Sequence, residues 1–399
     1  MTDERHAHPD APAPPGAPLT RRLLLGAAGA AALAGLTAAG PTAAAGRRTP
    51  AAAAADTRPL LIGTYTSSGG PGIALAAYDT ATGALTGTGA ASVPDPSFLA
   101  AGEGGLRYAV DENEDSVTAL TASDDGLTVL GTADTGGTGP CHLAVHAAGG
   151  HLLSANYGSG SVSVHSLAAD GSLGDRTDLV QHTGSGPDPD RQSGPHTHMV
   201  LNDPAGAFVL AVDLGTDTVY TYRLDTGTGK LAAVSAAAVT PGAGPRHATF
   251  HPSGQYLYVA NELGNTLTVC GYDGDTGKVT PGDSLPTVPP GGGDGERNYP
   301  AEPVVSPDGA HLYVSNRGHD SIARYALGGD GGAPELLDTV PAGGAYPRHI
   351  ALTSDGAWLF AANQNSGTVT AFARDAGSGA LTPVGDPFAA TAAVCVLPG

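Results

Sequence analysis

The chain has 399 residues, enough for one large domain or two, and carries 60 glycines, 32 prolines and only 5% aromatic residues. Such a composition argues for many turns and against long helices. A formal net charge of −20 sets the protein against nucleic acid and anionic membrane surfaces as partners, although a few clustered arginines can still hold a small anion.

Residues 1–58 read as a separate unit. Residues 1–18 are polar and rich in Pro and Ala, a composition that cannot build a core and predicts disorder. Thr20-Arg21-Arg22-Leu23-Leu24-Leu25 then leads into a mildly apolar Ala/Gly/Leu run reaching about Ala39. A twin arginine before a short, weakly hydrophobic run resembles a Tat export signal, and Ala43-Ala44-Ala45 supplies a small-residue cleavage site. The run holds too few large apolar side chains for a permanent membrane helix. Export is the expectation, with an uncleaved anchor or a plain tail as alternatives. The three cysteines, Cys141, Cys270 and Cys395, are far apart and odd in number. They show neither metal spacing nor a disulfide framework and read as buried small hydrophobes, or at most one incidental disulfide.

From residue 59 a hairpin begins to repeat, at intervals suited to the blades of a β-propeller. Leu60–Tyr65 reads as a second strand and GIALAAYD as a third, with no first strand before them. Six fuller copies follow, among them HLAVHAAGGHLLSANYGSGSVSVHSL, HATFHPSGQYLYVANELGNTLTVCGY and HIALTSDGAWLFAANQNSGTVTAFA. Each has an apolar strand, a turn rich in Pro, Asp or Gly, a second apolar strand ending near Asn or Asp, and an alternating third strand. Polar turns of the DTGTGKL type lead most copies into a fourth, edge-like segment. The C-terminal Ala393-Val394-Cys395-Val396-Leu397 is the missing strand: paired with the N-terminal strands it closes the ring and leaves no exposed inner edge. The expected fold is all-β, a seven-bladed β-propeller over 59–399, with helix close to nil.

Stacking the six copies on their first turn groups the end positions. The slot of Arg246 takes Pro96, Cys141, His198, Arg246, Ala301 and Arg348. The slot of His247 takes Ser97, His142, Met199, His247, Glu302 and His349. The slot of Glu262 takes Glu112, Tyr157, Leu214, Glu262, Arg317 and Gln364. All three lie at one end of their hairpins and are expected to ring one mouth of the central channel. His198, Arg246, Glu262 and Arg317 fall on three successive blades. Two arginines, a carboxylate and an imidazole around a small opening can hold an anionic or carbonyl-bearing ligand and move a proton. His196, His247, His142, Glu112, Arg348 and His349 complete the candidate lining. Against this, a lone first-strand histidine such as His142 or His349 more often serves only to hydrogen-bond blades, and Arg–Glu pairs can staple them.

GAGPRHATFHPSGQYLYVANELGN, at 242–265, closely resembles the PRHxxFHP…NEL signature of the lactonase family of seven-bladed propellers. IGTYT, SPDGAHLYVSNRGHDSI and the PHTH of 195–198 add to the resemblance, which spans roughly 59–397. That family includes propeller-type 6-phosphogluconolactonases and carboxymuconate-lactonizing enzymes. The resemblance implies a lactone hydrolase using His198, Arg246, Glu262 and Arg317, with His196 competing with His198 for the histidine role. His198, or alternatively Glu262, would deprotonate water while the arginines hold the carbonyl oxygen or an anionic group. No Ser or Cys sits in a nucleophile elbow, and no metal spacing or phosphate-cradling loop is present. No cofactor or metal is therefore expected, the partner is a small-molecule lactone, and the protein is expected to act as a monomer. A phosphorylated sugar lactone is scarce outside a cell, so the export signal favours other small lactones equally. The competing expectations are a secreted, non-enzymatic binding propeller and a cycloisomerase.

Overall fold

The computed structural model describes residues 56–123, 126–289 and 297–399. The reading of 1–58 as an export signal lies almost wholly outside the described residues; Thr57 and Arg58 already belong to the first strand, Thr57–Thr64. Seven four-stranded antiparallel sheets form the blades. Among the described residues helix is confined to two short turns, Thr66–Ser68 and Glu103–Gly105, and no helix is long and apolar enough to cross a membrane.

The ring closes as the split repeat requires. Ala393–Pro398 pairs antiparallel with Thr57–Thr64, setting Leu61 opposite Leu397 and Ile62 opposite Val396, and so becomes the innermost strand of the first blade. In the other six blades the strands run outward in chain order. Strands in the middle of a blade are buried on both faces, as in Trp358–Asn363, while outer strands such as Lys230–Ala238 are largely exposed. Neighbouring blades interlock through these middle strands. Leu210, Val212 and Val219 of blade four pack with Leu257, Val259 and Cys270 of blade five, apolar burial that contributes of the order of 1.5–3 kcal/mol per large side chain. Tyr108, Tyr258 and Tyr313 hold one repeat position, and each donates its hydroxyl to a glycine carbonyl of the following blade (Gly171, Gly331 and Gly379, at 3.0, 2.6 and 2.7 Å). Cys141, Cys270 and Cys395 are buried, as small hydrophobes should be.

Two local devices shape the mouth. The innermost strands carry a bulge near their start, between Pro140 and His142, Thr197 and Met199, Pro245 and His247, and Pro347 and His349. A bulge breaks the alternation of strand side chains and re-aims the extra residue. Consecutive residues such as Arg246 and His247 can thus both reach groups of the channel. The second device is an aspartate in the left-handed region at the turn after the second strand. Asp115, Asp217 and Asp320, with φ of 56°, 51° and 54°, each accept the N–H of the residue preceding the next blade's first strand: Gly139, Gly244 and Tyr346, at 2.7, 2.8 and 2.7 Å. Asp tolerates this conformation because its short carboxylate satisfies nearby backbone.

Candidate active site

The repeat geometry delivers Glu262 and Arg317 from equivalent ends of two second strands, and Arg246 and His198 from equivalent bulges of two first strands. Arg317 Nη2 donates to Glu262 Oε2 at 2.6 Å, and Arg246 Nε lies 3.3 Å from the same oxygen. All three side chains are almost wholly buried. A third arginine completes the group: Arg191 Nη2 donates to Glu262 Oε1 at 2.6 Å and to the Tyr157 hydroxyl at 3.3 Å. Burial acts to lower the Arg191 pKa, but the Glu262 carboxylate and Tyr157 outweigh it and hold it above the ordinary value. Three guanidiniums around one carboxylate leave this corner of a strongly acidic protein with surplus positive charge. Further contacts fix the arginines, with Arg246 Nη1 donating to the Ala301 carbonyl at 3.2 Å and Arg317 Nε to the Tyr299 carbonyl at 3.2 Å.

Stacking could not find Arg191, because it lies in no repeat. It sits in the loop between Leu173–Gln181 and Thr197–Asn202, which is much longer than the links at Asp134–Pro140 or Ala238–Pro245. That length was the available signal, since long loops in compact folds tend to be functional. Gln192 anchors the loop from a fully buried position, its amide donating to Leu214 O at 2.8 Å and Asp217 Oδ1 at 2.7 Å.

The two candidate histidines of PHTH are both at the mouth, in different settings. His196 is half-buried and stacked on Tyr157, ring centroids 4.6 Å apart. Its Nδ1 lies 2.9 Å from the Tyr157 carbonyl, which can only accept, so Nδ1 carries the proton. His198 is buried, with Nδ1 3.6 Å from Cys141 Sγ and its ring edge-on to Tyr157 and His247, at 5.4 and 5.0 Å. Behind both runs a buried chain that the sequence reading missed. Asp213 Oδ2 accepts from His182 Nδ1 at 2.6 Å and from Thr197 Oγ1 at 3.1 Å, and His182 Nε2 accepts from the Tyr222 hydroxyl at 2.8 Å. Asp213 Oδ1 accepts the backbone N–H of His196 at 2.9 Å. Burial alone would raise the Asp213 pKa; the His182 and backbone hydrogen bonds outweigh it and hold it below the ordinary value. At this repeat position blades three, five and seven carry Asn156, Asn261 and Asn363, whose amides donate within their own blades.

His142, His247 and His349, expected at the mouth, lie one step deeper along the innermost strands. They form a second layer with Glu302 and a residue missed at this slot, Phe98. The stacking places Ser97 there, but Val110 N–H donates to Phe98 O and Leu99 pairs with Ala109, which moves the first strand of this copy by one residue. The match of PSFLAA with PCHLAV and PRHATF, anchored on proline, carried that information. The Phe98 ring is 3.9 Å from His142 and 5.4 Å from His349. His247 Nδ1 is 2.5 Å from Glu302 Oε2, and His349 Nε2 is 3.8 Å from the same atom. Burial pushes Glu302 up to about 8 and His349 down to about 3, and holds His142 and His247 well below the ordinary imidazole value. This layer is uncharged near neutral pH, with the Glu302 carboxyl donating to His247.

Glu112 and Arg348 form a second buried pair at the mouth. Arg348 Nη2 is 3.9 Å from Glu112 Oε2, which accepts the Tyr65 hydroxyl at 2.9 Å. Among the described residues no cluster of His, Cys, Asp and Glu has the arrangement of a metal site.

A propeller with this ring defines a class, and the comparisons identify it. The family described as "Lactonase, 7-bladed beta-propeller" matches residues 59–398, and the chain belongs to that family. It is 33% identical over 341 residues to the 6-phosphogluconolactonase of Bacillus subtilis, covering 84% of this chain and 96% of that protein. A Lactobacillus plantarum protein of solved structure superposes with a TM-score of 0.81 at 34% identity, covering 86% of this chain and 99% of the other. The periplasmic gluconolactonase PpgL of Pseudomonas aeruginosa gives 0.80 at 27% identity, covering 86% and 99%.

Proposed function

We propose that this protein is an exported hydrolase of small sugar lactones. The observation that carries the reading is the buried Glu262 gripped by Arg191, Arg246 and Arg317, with His198 edge-on to the Tyr157 ring whose hydroxyl accepts from Arg191. The three arginines occupy the carboxylate oxygens of Glu262, which makes it an orienting group rather than a base. His198 takes a proton from water as the water oxygen bonds to the lactone carbonyl carbon. Arg246 and Arg317 carry the charge that develops on the carbonyl oxygen. The tetrahedral intermediate collapses with cleavage of the ring C–O bond, and the leaving alkoxide recovers the proton from His198. The product is a hydroxy acid, with one water consumed. Export is supported by the twin arginine Arg21-Arg22 ahead of its weakly apolar run, and by the kinship with a periplasmic gluconolactonase.

The test is a pH-stat assay, above the spontaneous rate, on glucono-1,5-lactone, its 6-phosphate and carboxymuconolactone. Sugar lactones are expected to be hydrolysed, with His198→Ala and Arg246→Ala each lowering kcat/KM by about 100-fold or more. Wild-type rates in both variants, or no acceleration of any lactone, would refute the assignment. Turnover of carboxymuconolactone alone would point instead to the cycloisomerase. N-terminal sequencing of protein recovered from culture medium tests export.

A further inference from the structure

Tyr346 is the one aromatic residue at positive φ among the described residues, at a position where Asp95 and Ala392 also take positive φ. It occupies the position just before an innermost strand, where Asp115 and Asp217 hold Gly139 and Gly244, both at φ 59°. Asp320 holds Tyr346 in the same way, at φ 63°. Glycine takes this conformation at no steric cost, whereas a bulky side chain is strained there. Strain of this kind persists where the side chain serves a purpose.

The ring of Tyr346 points to that purpose. With Tyr299, Arg297, Asp320 and Asn365 it lines a surface groove of about 390 Å³. The groove lies beside the candidate active site, since the Arg317 guanidinium that holds Glu262 is 5.4 Å from the Tyr346 ring centroid and 5.9 Å from that of Tyr299. The volume is at the lower end for ligand pockets, suited to one further ring. Its chemistry is that of a neutral, hydroxylated ring. Two tyrosines offer flat amphipathic faces, and the polar groups comprise an amide and one charge of each sign rather than a cation cluster. Arg297 is itself laid over Tyr299, 5.2 Å from its centroid.

We propose that the groove between Tyr299 and Tyr346 is a distal subsite for an uncharged hexose joined to the lactone ring, so that lactones of disaccharide aldonic acids are preferred substrates. The proposal rests on the lactone-hydrolase reading for its catalytic half and on the groove for its specificity.

The experiment compares kcat/KM for cellobiono-1,5-lactone and glucono-1,5-lactone in the wild type, Tyr346→Gly and Tyr299→Ala, together with calorimetric binding of cellobionate and gluconate. The wild type should favour the disaccharide lactone at least tenfold, and both variants should bring that ratio close to one. Tyr346→Gly should remain folded, with Tm within about 3 °C of the wild type, since glycine adopts this positive φ without strain, as Gly139 and Gly244 do. A wild-type ratio at or below one, a ratio unchanged in both variants, or a preference for the 6-phosphate lactone would overturn the subsite. If no lactone is hydrolysed, the catalytic reading fails by itself, and the groove is still judged by binding. Cellobionate held at least tenfold tighter by the wild type than by Tyr346→Gly supports it, and equal binding overturns it.

Discussion

Glu262 and Glu302 are both buried, lie on adjacent blades and meet opposite fates. Glu262 is surrounded by Arg191, Arg246 and Arg317 within hydrogen-bonding or ion-pair distance and serves as a fixed negative centre. Glu302, one layer deeper, faces the imidazoles of His247 and His349, and its carboxyl titrates at about 8. His142 Nδ1 and His247 Nε2 are buried there without hydrogen-bond partners among the described residues, in keeping with an uncharged layer. Burial alone thus does not determine whether a carboxyl is charged. The charge of its neighbours does.

The most damaging way to break this contrast is Glu262→Gln. It leaves three guanidiniums sharing a buried site without their counter-charge, which costs about 3–5 kcal/mol of stability and should abolish lactone hydrolysis; urea melts and the pH-stat assay read the two losses. Asp213→Asn should come next, at about 2–3 kcal/mol, because it disrupts the chain of Tyr222, His182 and Thr197 behind PHTH. Since Asp213 holds the His196 N–H and the Thr197 hydroxyl, and so positions His198 rather than reacting, the variant should lower kcat more than it raises KM.

Glu302→Gln sharpens the comparison through pH. The folded protein keeps the Glu302 proton up to about pH 8, whereas the ordinary glutamic acid value is 4.5. Its contribution to stability is therefore complete below about pH 4.5 and lost as pH rises through 8. His142, His247 and His349, all depressed from 6.5, contribute stability that is complete above 6.5 and lost as pH falls. Between about pH 6.5 and 8 Glu302 thus dominates this layer, and stability should decline by about 1–2 kcal/mol. Denaturant midpoints across that window should show the decline in the wild type and flatten in Glu302→Gln, where an amide still donates to His247. A wild-type profile that is flat or rising would mean that Glu302 is ionised after all.

How far the sequence carries differs from residue to residue. His198, Arg246, Glu262 and Arg317 were accessible to stacking because each repeats a fixed offset from a turn, and equal offsets in stacked blades mean neighbouring places around one axis. Phe98 was displaced by one position because its copy has a short first strand, Leu99–Ala101, and little pattern to register. Arg191 and His182 belong to a linking loop, for which repetition predicts nothing. Tyr346 looks like any loop tyrosine until its backbone is compared with Gly139 and Gly244.

The chain alone determined the seven blades, their closure by Ala393–Pro398 and the identity of most residues around the mouth. These follow from local alternation, turn chemistry and a repeated length, all properties of short stretches of chain. Folding in three dimensions set the third arginine on Glu262, the separation of charged mouth from neutral layer, and the aromatic groove beside Arg317. Each of these depends on which side chains from distant segments share a small volume with little water, where one neighbouring charge outweighs any intrinsic preference.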